Sequence, residues 1–235
     1  MQVVYEDNHI IIVSKNSSEI VQGDKTGDTP LSETVRQYIK EAYAKPGNVF
    51  LGVVHRLDRP VSGLVVFART SKALPRLCKM FAEGQVHKTY WAITTPPPTA
   101  TALREREAEQ HDGWVHLEHW LSRNEKQNKS YAVRKETQGA KQARLRYRVL
   151  AQGDHYDLVE VELLTGRHHQ IRCQLSTIGR TIKGDLKYGA KRSNPDGSIS
   201  LLSHRVQFEH PVSHQIIDIT SPLPEDHLWT ALSSQ

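Results

Sequence analysis

Short apolar runs separated by turn residues make up most of the chain. The first two, Val3–Tyr5 and His9–Val13, flank the turn Glu6-Asp7-Asn8 and predict a β-hairpin. Ile10 to Val13 is apolar throughout, so this strand is predicted to be buried. Further strands are predicted at residues 53–54, 64–68, 86–94, 141–149, 158–164, 201–208 and 215–220.

In three other stretches, apolar residues recur every three or four positions, which predicts helices. The first follows Thr29-Pro30, read as an N-cap and a proline at the first helical position. The second spans roughly residues 71–83 and the third follows Thr165-Gly166, with Gly84 and Gly179 as their ends. The three apolar faces are Leu31, Val35, Ile39 and Ala42; Leu74, Leu77, Cys78 and Phe81; and Ile171, Leu175 and Ile178.

The order of these elements decides the fold class. The strands do not alternate regularly with helices, which favours an α+β fold around a mostly antiparallel sheet. We predict one catalytic domain over residues 1–235. Residues 96–139 follow three prolines and are polar and weakly patterned, so an irregular subdomain is predicted there, with short strands or a helical turn at Trp114–Leu121. This segment is our first candidate for substrate discrimination.

Composition narrows the class of protein. Of 235 residues, 31 are Lys or Arg and 26 are Asp or Glu, which gives a net charge of +5. This bias suits a polyanionic partner, nucleic acid first, although a soluble protein can be basic for no such reason. No apolar run approaches the ~18 residues of a membrane span, and the N-terminus lacks a signal-peptide pattern. We therefore expect a cytoplasmic protein, monomeric by default, that binds no membrane.

The two cysteines, Cys78 and Cys173, form no CxxC pair and build no disulfide framework. We expect them to be buried small hydrophobes in a reducing compartment. The sequence has no P-loop, GxGxxG or GxSxG motif, so neither a nucleotide cofactor nor a serine nucleophile is supported.

The candidate chemistry begins at Asp58, which stands between Arg56 and Arg59 and between two apolar runs. Such a carboxylate is expected on a loop held by two rigid strands. A neighbouring opposite charge favours the ionised form of a carboxyl group. Asp58 could serve as a nucleophile, a base or a group that excludes phosphate. The alternative is a structural ion pair that pins the loop.

A second polar constellation lies at the junction of strand and helix around residues 163–172. On a helix, Arg172 would lie one turn from His168 and His169. Its guanidinium could hold a carboxylate by a bidentate contact, and Asp58 is the obvious candidate. The two histidines do not show zinc spacing and no ligand completes a site, so no metal is predicted.

Together these stretches resemble the RluA-type pseudouridine synthases. Three motifs carry this resemblance. One is Lys88-x-Tyr90-x-Ala92, in which Lys88 and Tyr90 are expected on one face of a strand. The other two motifs are His55-Arg56-Leu57-Asp58-Arg59-x-x-Ser62-Gly63-Leu64 and Thr165-Gly166-Arg167-x-His169-Gln170-Ile171-Arg172, the latter followed by Gly179, Ile182-x-Gly184-Asp185 and Tyr188-Gly189. The likeness extends from about Val3 to Pro222 in the family's order.

The resemblance implies isomerisation of uridine to pseudouridine in ribosomal or transfer RNA without a cofactor. It implies a long mixed sheet, flanking helices and a central cleft. Asp58 is the implied catalytic carboxylate, which attacks the sugar carbon or abstracts a sugar proton. Tyr90 is implied to pack on a base flipped out of its stack and to take part in moving the C5 proton, and Arg172 is implied to pair with Asp58. The implied substrate contacts are Arg56 in the vacated space, Leu164 and Ile171 in the pocket wall, and His55, Arg59, Lys88, Arg167 and His169.

The sequence departs from the family at one loop, where Ser14-Lys15-Asn16-Ser17-Ser18 replaces the usual Lys-Pro followed by Gly. An N-terminal S4 RNA-binding domain, present in many members, is not expected, so basic residues between Arg167 and Arg192 would hold phosphates. One rival hypothesis is a glycosidic hydrolase, which needs a second carboxylate such as Asp185. The other is a catalytically silent RNA-binding module.

Overall fold

The computed structural model describes residues 1–234 and contains eleven strands and five α-helices over that range. The elements in chain order are β1 (Gln2–Glu6), β2 (Ile10–Lys15), α1 (Leu31–Ala42), β3 (Gly52–Val53), β4 (Ser62–Ala68), α2 (Ala73–Ala82), β5 (His87–Thr94), α3 (Thr99–Glu109), β6 (Val115–Asn124), β7 (Lys129–Val133), β8 (Lys141–Gln152), β9 (Asp157–Leu163), α4 (Gln170–Thr177), β10 (Leu201–Glu209), β11 (Ile216–Thr220) and α5 (His227–Ser233), with a 3-10 helix at Leu186–Tyr188.

The chain divides into two compact units. The first contains Met1–Lys88 and Ser203–Pro222, and the second contains Thr89–Leu202 and the chain from Leu223 onward. Each unit combines helices with antiparallel strand pairs, which confirms the α+β class. The prediction of one domain over the whole chain stays a prediction. Across the part of the chain that the structure describes, no helix is long and apolar enough to cross a membrane.

The core of the first unit is built on strand β2. It pairs antiparallel with β1 on one side and with β4 on the other, so the predicted hairpin is confirmed. Ile10 and Ile12 pack on one face with residues of α2, whereas Ile11 and Val13 pack on the opposite face with residues of α1. A strand covered on both faces must be apolar at every position, and this explains its unbroken apolar run.

The second unit contains the antiparallel strand order β5-β9-β8-β6-β7. Apolar side chains of β9, such as Val159 and Val161, are buried. Glu160 and Glu162 lie on the other face and pair with Arg148 and Arg146 of β8. Helix α5, which the sequence pattern did not indicate, packs Trp229 and Leu232 against Ile93, Leu158 and other apolar residues of this unit.

The prediction for residues 96–139 is confirmed only for a strand near Trp114–Leu121, which is β6, and is wrong for the segment as a whole. This segment forms helix α3 and strands β6 and β7 rather than an irregular subdomain. Helix α3 has no apolar stripe, and its single buried residue is a charged one, Glu105. The helix is held by a buried ion pair rather than by an apolar face. Its sequence therefore lacks the apolar residues at every third or fourth position that predict a helix.

Several smaller expectations also need correction. Pro30 itself is the residue that precedes α1, with no side-chain cap from Thr29. Ala42 is exposed because the helix ends there. Cys173 is buried as expected, but Cys78 is exposed, since Ala73 and Leu77 make the inner face of α2.

Arg180 was expected in the basic stretch that contacts phosphates, and this expectation is wrong because its side chain is completely buried. It donates to both carboxylate oxygens of Glu105, at 2.5 and 2.7 Å, and to Asp157 at 2.8 Å. Glu105 also accepts from the Tyr147 hydroxyl at 2.7 Å. Removing one member of such a network leaves an uncompensated buried charge, so the network locks α3 onto the sheet of the second unit.

We predict that Arg180→Met lowers the free energy of unfolding by about 3 to 5 kcal/mol, since Glu105 and Asp157 lose their cation while still buried. Arg36→Met is the matched control, because Arg36 forms an exposed pair with Glu33 and its loss should cost less than about 1 kcal/mol. Urea unfolding at pH 7 measures the free energy of unfolding of the two variants and of the wild type. Equal, small losses in the two variants would show that the buried network does not stabilise the unit.

Candidate active site

Asp58 lies in the first unit on a tight turn between β3 and β4. Its carbonyl oxygen accepts from the Val61 N–H at 3.1 Å, and the Ser18 N–H donates to the next carbonyl, that of Arg59, at 2.9 Å. Gly63 follows with φ +109°, and a Cβ there would lie 2.3 Å from the Ser203 carbonyl oxygen. Only glycine fits this close approach, so the carboxylate is carried by a rigid turn.

The two arginines beside Asp58 in sequence have different surroundings. Arg59 donates to Asp28 at 2.7 Å and to the Thr26 hydroxyl at 2.9 Å, and Asp24 lies 3.5 Å away. It therefore anchors the preceding loop through Asp24 and Asp28, and its expected contact with substrate stays a prediction. Arg56 is exposed and is the flanking arginine that remains accessible to a nucleic acid.

Lys15 is a neighbour of Asp58 that sequence reasoning missed, because it had been assigned to a polar loop. It ends β2 and is only 1% exposed. Its ammonium group donates to the carbonyl oxygens of Asn16 at 2.8 Å and Arg59 at 3.1 Å. Burial lowers the pKa of Lys15 to about 8, while the negative charges of Glu19 and Asp58 act in the opposite direction. A buried cation thus holds the turn that carries the candidate carboxylate.

His55 and Lys88, both expected to contact substrate, pack on the same phenyl ring. The His55 ring stacks on Phe81 at 4.5 Å, and the Lys88 ammonium lies 5.5 Å from the centroid of that ring. The Nε2 atom of His55 accepts from the Val66 N–H at 2.9 Å. Burial, and to a lesser extent the Lys88 charge, lowers the pKa of His55 to about 3. This histidine is therefore neutral and hydrogen-bonded to the backbone. Its contact with substrate stays a prediction.

The second unit carries Tyr90, Arg172 and the two residues expected in the pocket wall. Tyr90 lies on β5 opposite Val161 and is 7% exposed. Ile171 is buried in the first turn of α4, whereas Leu164 is 50% exposed. Leu164 thus offers an apolar surface to solvent, and Ile171 belongs to the packed interior.

The side chain of Arg172 is oriented by a buried carboxylate. Its Nε and Nη2 atoms donate to the two oxygens of Asp185 at 2.7 and 2.8 Å, and its guanidinium lies 5.1 Å from the Tyr188 ring centroid. Both oxygens of Asp185 are thereby engaged, which argues against Asp185 as the second carboxylate of a hydrolase. The pairing of Arg172 with Asp58 stays a prediction.

The expected placement of His168 and His169 on the helix is wrong. Helix α4 begins at Gln170, and His169 precedes it in the left-handed conformation with φ +51°. The two imidazole rings stack at 3.8 Å. The hydroxyl of Tyr188 accepts from the Ser130 N–H and is hydrogen-bonded to His169 Nδ1 at 3.0 Å. Burial, then the charge of Arg172, lowers the pKa of His169 to about 2, so this ring is neutral.

Gln170 fixes the turn that precedes the helix, and sequence reasoning assigned it no role. Its side-chain oxygen Oε1 accepts from the Thr165 hydroxyl at 2.7 Å and from the Arg167 N–H at 2.9 Å, and its side-chain Nε2 donates to the Arg144 carbonyl oxygen. The Arg167 side chain is exposed and donates from Nε to the Gln142 carbonyl at 2.9 Å. This leaves the rest of its guanidinium at the surface.

A metal site was not expected from the sequence. Among residues 1–234, no three or more His, Cys, Asp or Glu side chains are grouped so as to hold a metal ion.

The family profile and the relatives that match this chain all belong to pseudouridine synthases. Residues 9–177 match the profile of the RNA pseudouridylate synthase family. The chain is 27% identical over 236 residues to ribosomal large subunit pseudouridine synthase D of Zymomonas mobilis, covering 96% of this chain and 70% of that protein. It is 31% identical over 237 residues to the protein of the same name from Nitrosomonas europaea, covering 96% and 63%.

Among solved structures, the fold is similar to that of human RNA pseudouridylate synthase domain containing 4. The TM-score is 0.74 at 20% identity, with 95% of this chain and 89% of the human chain covered. At this identity the likeness establishes the fold, and it confirms the pseudouridine synthase fold expected from the sequence.

The geometry of Lys15 leads to a prediction about pH. The unfolded chain holds the Lys15 proton up to about pH 10.5 and the folded chain only up to about pH 8. Between these values the unfolded state binds more protons, so this group makes the unfolding free energy rise with pH, by about 2 kcal/mol from pH 7.5 to 10. In Lys15→Met this increment should disappear, whereas the exposed control Lys40→Met should keep it. Urea unfolding across this range tests the prediction, and parallel pH profiles for wild type and Lys15→Met would contradict it.

Proposed function

Because this chain belongs to the RNA pseudouridylate synthase family, we propose that Asp58 is the carboxylate with which it isomerises specific uridines of ribosomal or transfer RNA. The family assignment agrees with the resemblance to RluA-type members and makes the protein an RNA uridine-to-pseudouridine isomerase. The observation that carries the role of Asp58 is its turn, which is fixed by backbone hydrogen bonds and by the buried ammonium of Lys15. Precise positioning of a reacting group is a large part of catalysis.

The reaction needs one well-placed carboxylate. The bond between N1 of the base and C1′ of the ribose breaks, the base turns, and C5 bonds to C1′. N1 gains a proton and C5 loses one, so nothing is oxidised and no group is lost to water. Asp58 either attacks C1′ and is displaced by C5, or removes a sugar proton and returns it. Both routes balance, and the structure supports them equally.

The target uridine must leave its stack before Asp58 can reach the sugar, at a cost of a few kcal/mol. We propose that Arg56 enters the vacated space, since its side chain is exposed two residues before Asp58. Tyr90 is proposed to pack on the flipped base, because an aromatic ring suits a splayed base of any orientation. Arg172 is proposed to act with Asp58, with its plane set by the bidentate contact to Asp185.

The relatives point to the RNA to test first. Their names refer to the large ribosomal subunit, so large-subunit ribosomal RNA is our first proposed substrate, with transfer RNA second. A hydrolase that frees uracil is the less favoured alternative, because both oxygens of Asp185 are held by Arg172.

We predict that Asp58→Asn lowers the rate of pseudouridine formation by at least about 100- to 10,000-fold, the range expected for loss of a positioned reacting group. RNA affinity should stay within about twofold, because no phosphate contact is removed. Pseudouridine mapping of total RNA from cells that lack the gene, incubated with each protein, measures the rate. Filter binding to the same RNA measures the affinity.

The control is Asp154→Asn, which changes an exposed carboxylate in a loop of the second unit and should leave the rate unchanged. A wild-type rate in Asp58→Asn would exclude the proposed carboxylate. Free uracil released by the wild-type protein would favour the hydrolase instead.

A further inference from the structure

Three cations in the second unit have no acidic partner within residues 1–234. Arg123 is the last residue but one of β6, Lys129 begins β7, and Lys187 lies in the 3-10 helix. None of them forms an ion pair with any residue that the structure describes. Instead, Arg123 donates to the Asn128 side-chain oxygen at 3.3 Å, and Lys187 donates to the carbonyl oxygens of Gln127 and Asn128 at 3.2 and 3.1 Å. We call Arg123, Lys129 and Lys187 the hairpin cation cluster.

The cluster contrasts with the other basic region of this unit. Arg146 and Arg148 of β8 lie over the Trp114 ring at 4.4 and 4.7 Å. Each is also neutralised by a glutamate of β9, with nitrogen–oxygen distances of 2.6 Å. A surface whose charges are paired internally attracts a polyanion weakly, because phosphates would have to displace the glutamates. The unpaired hairpin cations carry no such cost.

The three cations converge on one place. Asn128 turns the hairpin in the left-handed conformation, and its side-chain oxygen also contacts His168 Nε2 at 3.1 Å. Lys129 lies 5.0 Å from the Tyr188 ring centroid, and Arg172 lies 5.1 Å from the same centroid. The cluster is therefore continuous with Arg172. The charges of Lys187 and Arg123 also contribute to lowering the pKa of His169.

We propose that the hairpin cation cluster binds the phosphodiester backbone of the RNA substrate, next to Arg172. That the polyanion is RNA rests on the proposed function. The hairpin cation cluster is the surface that would bind this RNA. Anchoring of Arg123 and Lys187 to hairpin oxygens orients their charged groups before binding, which reduces the entropy lost on contact. Tyr131, 40% exposed with the Lys129 ammonium 5.1 Å from its ring, offers a stacking surface for a neighbouring base.

The test replaces the three cations together, as Arg123→Gln, Lys129→Gln and Lys187→Gln in the full chain. The matched control is Lys25→Gln, Lys40→Gln and Lys72→Gln, which removes the same charge from exposed positions of the first unit. A charge-preserving variant, Arg123→Lys with Lys187→Arg, tests whether charge alone suffices. Circular dichroism and thermal unfolding establish that each variant is folded. The binding probe is a fluorescein-labelled stem–loop of large-subunit ribosomal RNA.

If each cation contacts one phosphate, the triple cluster variant should bind the probe about 50- to 150-fold more weakly at 0.15 M salt. The slope of log K against log salt should fall by about 2 to 3. The control triple should change affinity by less than about fivefold, and the charge-preserving variant should retain most of the binding. In turnover assays KM should rise while kcat at saturating RNA is retained.

A loss of affinity in the cluster variant no larger than in the control triple would overturn the proposal. So would an unchanged salt slope, since it would mean that no phosphate contact was lost. The binding assay does not depend on turnover. If the wild-type protein isomerised no RNA at all, the proposed function would fail, while the comparison of the two triple variants would still decide where RNA binds.

Discussion

The ammonium group of Lys15 connects the core of the first unit to the turn that carries Asp58. A buried lysine is stable only where oxygens surround its charge. Here those oxygens are the carbonyls of Asn16 and Arg59, and Asp58 adds a nearby negative charge. Strand β2 is rigid because both of its faces are packed, so the lysine at its end transfers that rigidity to the turn. The position of the candidate carboxylate thus depends on a cation from a strand more than forty residues earlier.

The second unit uses buried charge in the same way at two further places. Arg180 holds helix α3 through Glu105 and Asp157, and Asp185 sets the plane of the Arg172 guanidinium. Such pairs add little net stability over apolar packing, but they impose one geometry, since every alternative leaves a charge unpaired. Two neutral imidazoles complete the arrangement: His55 accepts from the Val66 N–H, and His169 is hydrogen-bonded through Nδ1 to the Tyr188 hydroxyl. The protein therefore keeps its ionised side chains few and oriented in the interior.

At the surface, the distinction between paired and unpaired cations is more informative than their number. The arginines of β8 are as basic in sequence as the residues of the β6–β7 hairpin, yet glutamates of β9 neutralise them. The hairpin cations contact uncharged oxygens and aromatic rings in the part of the chain that the structure describes. A local concentration of such cations attracts a polyanion more strongly than an even spread of the net charge of +5 would. Phosphate contacts of the kind proposed for the hairpin cation cluster position an RNA without reading its sequence, so on that proposal other residues choose the uridine.

The sequence by itself determined the α+β class, most of the strands, the helices with an apolar stripe and the family, because period and motif are local properties of a chain. It also singled out Asp58, Tyr90 and Arg172, whose roles stay proposals. It did not reveal helix α3, the burial of Lys15 and Arg180, the left-handed residue before α4, or which arginines are neutralised. Each of these depends on a partner distant in sequence: Glu105 meets Arg180, and Lys15 meets the Arg59 carbonyl, only once the chain has folded. Whether a charged side chain is exposed or buried is decided by that partner, and tertiary structure alone provides it.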